Sequence, residues 1–283
     1  MSLLEIADVD VVYPGRGFRS KPFHALHSVS LDIAEGETVG LVGESGSGKT
    51  TLGRAVLGLA PVTAGSISFD GNDITHLSLR ERRAVARDIQ VVFQDPYSSL
   101  NPAMTVQDIL SEPLGVQGIS VKDARARVKE LLDQVGLPTD AYRRFPREFS
   151  GGQRQRIAIA RALALRPRLI VCDEPVSALD LSTQARVLDL FIEIQEATGV
   201  AYLFVSHDLS VVRHISHRVA VMYKGEIVET GDCAQVTAEP AHPYTRTLLG
   251  AAPVADPARQ RARREAREAM LAEVGAAGLG TNS

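Results

Sequence analysis

The chain of 283 residues has no tryptophan, only two cysteines and 5% aromatic residues. Cys172 and Cys233 do not make a disulfide framework; they read as packing residues of a protein from a reducing compartment. Charge of one sign is also lacking. The net charge of −3 supplies no global field toward nucleic acid or an anionic membrane. Long hydrophobic runs are missing too. Stretches such as Val219-Ala220-Val221-Met222-Tyr223 fall far short of the roughly 18 apolar residues that a membrane span needs. A membrane process would therefore draw its pore from other chains. The start, Met1-Ser2-Leu3-Leu4-Glu5-Ile6, carries neither the basic region nor the cleavage pattern expected of a signal peptide. The remainder, 45% hydrophobic and 23% charged, is the balance of a globular protein with ample core, in one large domain or two modest ones.

What is present centres on Gly43-Glu44-Ser45-Gly46-Ser47-Gly48-Lys49-Thr50-Thr51. The apolar run Thr38-Val39-Gly40-Leu41-Val42 before it predicts a buried strand, and residues 52–59 after it have helical character. This is the strand, GxxxxGK[ST], helix order of a phosphate-binding loop. Glycines let the backbone curl around an anion with successive N–H groups aimed inward, and the helix adds its positive end. Lys49 can reach the outer phosphates, and the Thr50 hydroxyl can ligate Mg²⁺.

Alternation predicts strands over 3–13 (Leu4, Ile6, Val9, Val11) and 28–33, with a basic loop at 15–23 and an antiparallel pair near the start of the chain. Further strands are expected at 65–71, 88–93, 168–173, 200–206, 218–223 and 226–230, with helices over 182–198 and 208–214. Strands alternating with helices imply an α/β fold with a largely parallel sheet and helices on both faces. Between 94 and 165, Pro96, Pro102 and Pro113 break the chain and no β-branched run appears. Helices are predicted there over 105–111, 121–135 and 152–165; Ala124, Val128, Leu131, Leu132 and Val135 recur at helical spacing. This stretch, about 95–165, reads as a helical subdomain inserted into the core. Past Gly231 the pattern loosens, and Pro240 and Pro243 lead into a short helix ending near Gly250. Residues 259–273 carry five Arg and three Glu and read as a solvated helix of mixed charge.

Four more segments narrow the class. Leu169-Ile170-Val171-Cys172-Asp173-Glu174 is an apolar strand ending in two acids. Acids at a strand's carboxyl end lie beside the phosphate crevice of an α/β sheet, where one can hold Mg²⁺ and the other polarise a water. Phe149-Ser150-Gly151-Gly152-Gln153 opens a helix and makes a second anion site by the same dipole argument. His207 follows the strand ending at Ser206, and Gln94 follows the strand ending at Phe93.

Together these residues resemble the ATP-binding cassette (ABC) ATPases over roughly residues 3–250. The resemblance makes Gln94 the Q-loop glutamine and Ser150-Gly151-Gly152-Gln153 the signature, with Phe149 in place of its usual leucine. It makes Asp173 and Glu174 the Walker B acids, Ser177-Ala178-Leu179-Asp180 the D-loop and His207 the switch histidine. Tyr13 matches the aromatic residue that stacks on adenine. The implied fold is a P-loop NTPase of the ABC ATPase type, a mostly parallel core with an antiparallel β subdomain and an inserted helical subdomain. The implied cofactors are ATP and Mg²⁺. Glu174, His207, Lys49 and Gln94 would be catalytic, with Mg²⁺ held by Thr50, Gln94 and Asp173. Residues 43–51, Tyr13, Ser150–Gln153 and Asp180 would contact nucleotide.

Val92-Phe93-Gln94-Asp95-Pro96-Tyr97-Ser98-Ser99-Leu100-Asn101-Pro102 and His242-Pro243-Tyr244-Thr245-Arg246 look like the dipeptide/oligopeptide and nickel importer ATPases, nearest to the F-type subunit. The expected partners are a second ABC ATPase subunit, identical or related, in a head-to-tail dimer, two transmembrane permeases, and an extracytoplasmic solute-binding protein acting through them, with no nucleic acid. The expected location is the cytoplasmic face of the bacterial inner membrane. The ABC ATPase domain would cover 1–250 and a C-terminal importer-type extension 236–283. No cysteine follows Cys233, so the iron–sulfur cluster of some relatives is not expected. Competing readings are a soluble ABC subunit of an enzyme complex such as carbon–phosphorus lyase, and a repair-type ATPase. The roughly 120 residues between Lys49 and Asp173 fit the compact transporter layout better than the latter.

Overall fold

The computed structural model describes residues 2–15 and 21–251. Strands β1 (Ser2–Tyr13) and β2 (Phe23–Ala34) pair antiparallel, with Ile6 opposite Leu31 and Tyr13 opposite Phe23. Buried residues of β1 switch parity from Leu4 and Ile6 to Val9 and Val11. A register shift between Ile6 and Val9, with Asp8 at φ 49°, accounts for the switch. One extra residue keeps both halves of the strand facing the core. The pair grows into a sheet of order β2-β1-β4-β5 through β4 (Val62–Phe69) and β5 (Asn72–Asp73). β2 begins at Phe23, inside the stretch expected to be loop, while residues 16–20 lie outside the described residues.

The main sheet contains β3 (Thr38–Val42), β6 (Ile89–Val92), β7 (Leu169–Asp173), β8 (Ala201–Ser206), β9 (Arg218–Tyr223) and β10 (Glu226–Asp232) in the order β10-β9-β3-β8-β7-β6. All neighbours run parallel except β10 on β9. The central strands are buried on both faces and divide their side chains by parity. Leu169, Val171, Leu203 and Val205 join one core with α1 (Lys49–Val56) and the antiparallel sheet. Ile170, Cys172, Tyr202 and Phe204 join another with α4 (Val106–Val116), α5 (Val121–Gln134), α6 (Gly151–Leu163) and α7 (Leu181–Thr198). Phe191 of α7 meets Tyr202 and Phe204 edge-on at 5.4 and 5.6 Å, and its carbonyl accepts the buried Tyr202 hydroxyl at 3.1 Å. Each such side chain removed from water contributes about 1.5–3 kcal/mol.

Several boundaries differ from expectation. The helix after the glycine loop starts at Lys49 and ends at Val56, because the loop itself supplies the first turn. Pro113 does not break the chain but lies inside α4. Leu110 and Leu114 on either side are fully buried, and that packing carries the helix through the lost N–H. The short helices α2 (Leu79–Val85), α3 (Pro96–Ser99) and α9 (Cys233–Ala238) were not expected; their few turns are too short for a legible period. α8 (Leu209–Ile215) and α10 (Pro243–Ala251) fall where helices were predicted. The helix expected at 259–273 lies outside the described residues.

Candidate functional site

Strand register brings the site together. Val42 pairs with Ser206, Asp173 with Val205, and Val92 with Cys172. Gly43, His207 and Glu174, which follow directly, and Gln94, which follows after Phe93, therefore leave the sheet along one carboxyl edge, where α/β sheets bind ligands. A cleft of about 540 Å³ opens there, bounded by Phe23 and Ala25 of β2, by residues of the 45–51 loop, and by Gln94, Glu174 and His207.

Gly43 must be glycine: a Cβ there would sit 2.1 Å from the Met222 carbonyl oxygen of the adjacent strand. Lys49 is 4% exposed and folds back into the loop. Its ammonium donates to the carbonyls of Gly43 and Glu44 at 2.7 and 2.8 Å, and to Ser47 Oγ at 3.4 Å. Burial pushes its pKa down, against the pull of Glu174, Asp173 and Glu44. A buried cation with only neutral acceptors gains by taking an anionic one, because the attraction between opposite charges is stronger away from bulk water.

Thr50 Oγ1 donates to Asp173 Oδ1 at 2.9 Å. Burial raises the Asp173 pKa, the Thr50 bond lowers it, and the neighbouring Glu174 carboxylate raises it again. Glu174 takes φ 49° immediately after β7, held by its N–H on the Val205 carbonyl at 3.0 Å and by Ser177 Oγ on its own carbonyl at 3.0 Å. Such a conformation costs about 1–3 kcal/mol and persists only where its surroundings fix it. It places Glu174 Oε2 at 3.3 Å from the donating Gln94 Nε2 and 3.0 Å from His207 Nδ1. Three residues from three loops meet on one carboxylate oxygen.

Other predicted residues lie elsewhere. Tyr13 does not line the cleft; Phe23, its partner across the strand pair, does. Ser150 caps α6 with its hydroxyl accepting from Gln153 N at 3.4 Å, while Gln153 Oε1 accepts from Ser150 N at 3.0 Å. Asp180 caps α7, accepting from Thr183 N at 3.0 Å and Ser182 Oγ at 2.8 Å; the Thr183 hydroxyl, then the Ser182 hydroxyl and the Thr183 N–H, hold its carboxyl well below the usual carboxylate range. These two helix starts touch: a Cβ on Gly152 would lie 2.3 Å from Thr183 Cγ2. Neither lines the cleft. Sequence reasoning missed Phe23 and Ala25 in the wall, and Tyr244, whose hydroxyl accepts from Glu44 N at 3.0 Å.

A glycine loop between buried strand and helix, its lysine turned inward and its threonine bonded to a strand-end aspartate, defines a phosphate-loop NTPase fold. The pattern of the ABC transporter family matches residues 26–177, and that of the oligopeptide/dipeptide transporter C-terminal region matches residues 228–278. The chain belongs to the ABC transporter family. It is 54% identical over 246 residues to the glutathione import ATP-binding protein GsiA of Escherichia coli (strain K12), covering 87% of this chain and 40% of that protein. It is 54% identical over 236 residues to the oligopeptide transport ATP-binding protein OppD of Mycobacterium tuberculosis (strain H37Rv), covering 83% of this chain and 39% of that one. The chain thus spans about two-fifths of the length of these relatives. Among solved structures, a dimeric ATP-binding cassette in a post-hydrolysis state with ADP and Pi superposes with TM-score 0.72 and 32% identity, over 81% of this chain and 98% of that one.

Proposed function

We propose that this chain binds and hydrolyses ATP to drive a bacterial ABC importer for di- or oligopeptides or a peptide such as glutathione. The observation that carries the proposal is the convergence of Gln94 and His207 on the Glu174 carboxylate beside the loop of Lys49 and Thr50. The Glu174 carboxylate is placed to orient and polarise a water, Gln94 and His207 to fix that carboxylate, and Lys49 to neutralise charge on the transferred group. Phosphoryl transfer relies mainly on such positioning and electrostatics. Mg²⁺ fits the Thr50–Asp173 pair: burial raises Asp173, and a cation would relieve it. Among the described residues no cluster of three or more acidic, His or Cys side chains could hold a metal alone. That suits an ion that takes one or two protein oxygens and completes its shell with phosphates and waters. When bound, Mg²⁺ would neutralise charge on the phosphates, and Gln94 would reach it from the cleft wall.

The joined helix starts at Ser150–Gln153 and Asp180 stand off this cleft, with Gly152 packed against Thr183; they form the surface expected to cover the nucleotide of a second cassette in a head-to-tail dimer. The dimeric relative supports that reading. Among the described residues no helix is long and apolar enough to cross a membrane. The permeases and the solute-binding protein would be separate parts, with this chain on the cytoplasmic face. In this reading the ATPase domain covers 1–250, its helical part about 95–165, and the extension 236–283. The names of the relatives favour peptides over nickel or phosphonate chemistry. Co-expression with its neighbouring permeases tests the proposal: the purified assembly should hydrolyse MgATP faster when its binding protein carries a peptide. An assembly that hydrolyses no ATP, or a chain that co-purifies with soluble phosphonate enzymes, would overturn it.

A further inference from the structure

Tyr244 lies 200 positions from Glu44 in sequence, yet its hydroxyl accepts the Glu44 N–H at 3.0 Å. The contact is anchored from behind. The Tyr244 ring lies against Tyr223 with centroids 4.2 Å apart, and Tyr223 ends the strand whose Met222 carbonyl backs Gly43. The Glu229 carboxylate on β10 accepts from Ala241 N at 2.7 Å and His242 N at 3.0 Å. His242 Nδ1 in turn accepts from Tyr244 N at 3.1 Å. Tyr244, Leu248 and Leu249 pack against the small core that contains Val42, the last residue before the loop. Burial pushes the Tyr244 phenol up, so it stays a neutral acceptor at physiological pH and puts no negative charge beside a phosphate site.

Glu44, Ser45 and Gly46 are exposed. Gly46 has φ 81° and open space where a Cβ would stand, so this half of the loop is held from within, by Lys49 on the Gly43 and Glu44 carbonyls and by Ser47 N on the Glu44 carbonyl at 3.2 Å, with little packing around it. Farther along, the Ser47 carbonyl is held by Gly225 N at 2.9 Å. The Tyr244 bond is a side-chain contact on the less restrained half. A loop that must be ordered before it binds loses affinity in proportion to the fraction of time it is disordered.

We propose that Tyr244 is a positioning residue for nucleotide binding: by holding the Glu44 N–H it keeps the entrance of the phosphate loop in its anion-receiving curl, and so makes the His242-Pro243-Tyr244 segment a part of the nucleotide site. This rests on the reading that the loop binds MgATP. It adds to it a function for a C-terminal segment that neither the glycine loop nor the acids require.

Tyr244→Phe keeps the ring on Tyr223 and removes only the hydroxyl. In the full chain of 283 residues, MgATP affinity should weaken by roughly three- to tenfold, the size of one neutral hydrogen bond. The melting temperature should stay within about 2 °C of wild type. Without nucleotide, the Glu44 amide should exchange its hydrogen faster than in wild type, as resolved by NMR. In the assembled ATPase, KM for ATP should rise by the same factor with kcat within about twofold. An unchanged MgATP Kd would overturn the proposal, as would unchanged Glu44 exchange, or a fall in kcat with KM preserved. A wild-type chain that binds no MgATP would overturn the proposed function instead; the nucleotide-free exchange measurement then decides the Tyr244 contact separately.

Discussion

Glu174→Gln removes one charge and one proton acceptor while leaving the side chain's shape in place. The backbone at φ 49° is as tolerable for glutamine as for glutamate. Gln94 Nε2, now 3.3 Å from Oε2, can donate to the new amide oxygen. Groups that would hold the nucleotide are untouched: Lys49 keeps its bonds to Gly43 and Glu44, and Thr50 keeps Asp173. The electrostatic change favours binding if anything. Glu174 is among the charges that raise Asp173, so its loss moves Asp173 back toward the ordinary range and leaves less negative charge facing the phosphates. What disappears is the acceptor for the attacking water's proton. A positioned general base contributes about 10²–10⁴ in rate, equivalent to roughly 3–5 kcal/mol of barrier. Steady-state and single-turnover phosphate release, measured on the assembled ATPase, should fall by at least about a hundredfold. Equilibrium ATP binding should be equal to wild type or tighter. Release within about threefold of wild type, with full binding, would refute the assignment of Glu174 as the residue that activates water.

Lys49→Ala should weaken nucleotide binding by about a hundredfold, the value of two charge-assisted bonds less the cost of freeing them from the loop carbonyls; fluorescent-nucleotide titration checks this. Gly43→Ala forces a Cβ to 2.1 Å from the Met222 carbonyl. It should cost about 1–3 kcal/mol of stability together with nucleotide affinity, read by denaturant melts and the same titration. Asp180 has its folded pKa depressed, first by the Thr183 and Ser182 hydroxyls. Its charge therefore stabilises the fold above the unfolded aspartate value, and that contribution is lost as pH falls through the lower folded value. Asp180→Asn should melt below wild type near neutral pH, with the gap closing in acid; a gap independent of pH would contradict this.

Much of the main sheet was legible because its strands are short, apolar and bounded by turn residues, and the phosphate loop because its function demands particular residue types in a row. Helix α5 showed in its buried residues Ala124, Val128, Leu131 and Leu132, which recur at the helical period. The least legible parts had weak local signals. Phe23 sits in a stretch of basic and turn residues that reads as loop, and only pairing with Tyr13 makes it strand. Pro113 carries a strong local signal for a break, and buried neighbours on α4 override it. The parity change in β1 was hidden because a bulge is a property of two strands.

The sequence by itself determined which atoms can do chemistry: a lysine and a hydroxyl in a glycine loop, two acids at a strand end, a histidine and a glutamine after strands. These are short-range facts, set by residue identity and by neighbours one turn away. Only the tertiary structure decided that Gln94, Glu174 and His207 share one carboxylate oxygen, because that depends on the order β3-β8-β7-β6 and on which residues pair across it. It also decided which face each doubly buried strand residue takes, since a run apolar at every position carries no mark of side. And it brought Tyr244 to the back of the loop, a contact made by the packing of α10 on the end of the sheet and by no periodicity in the chain.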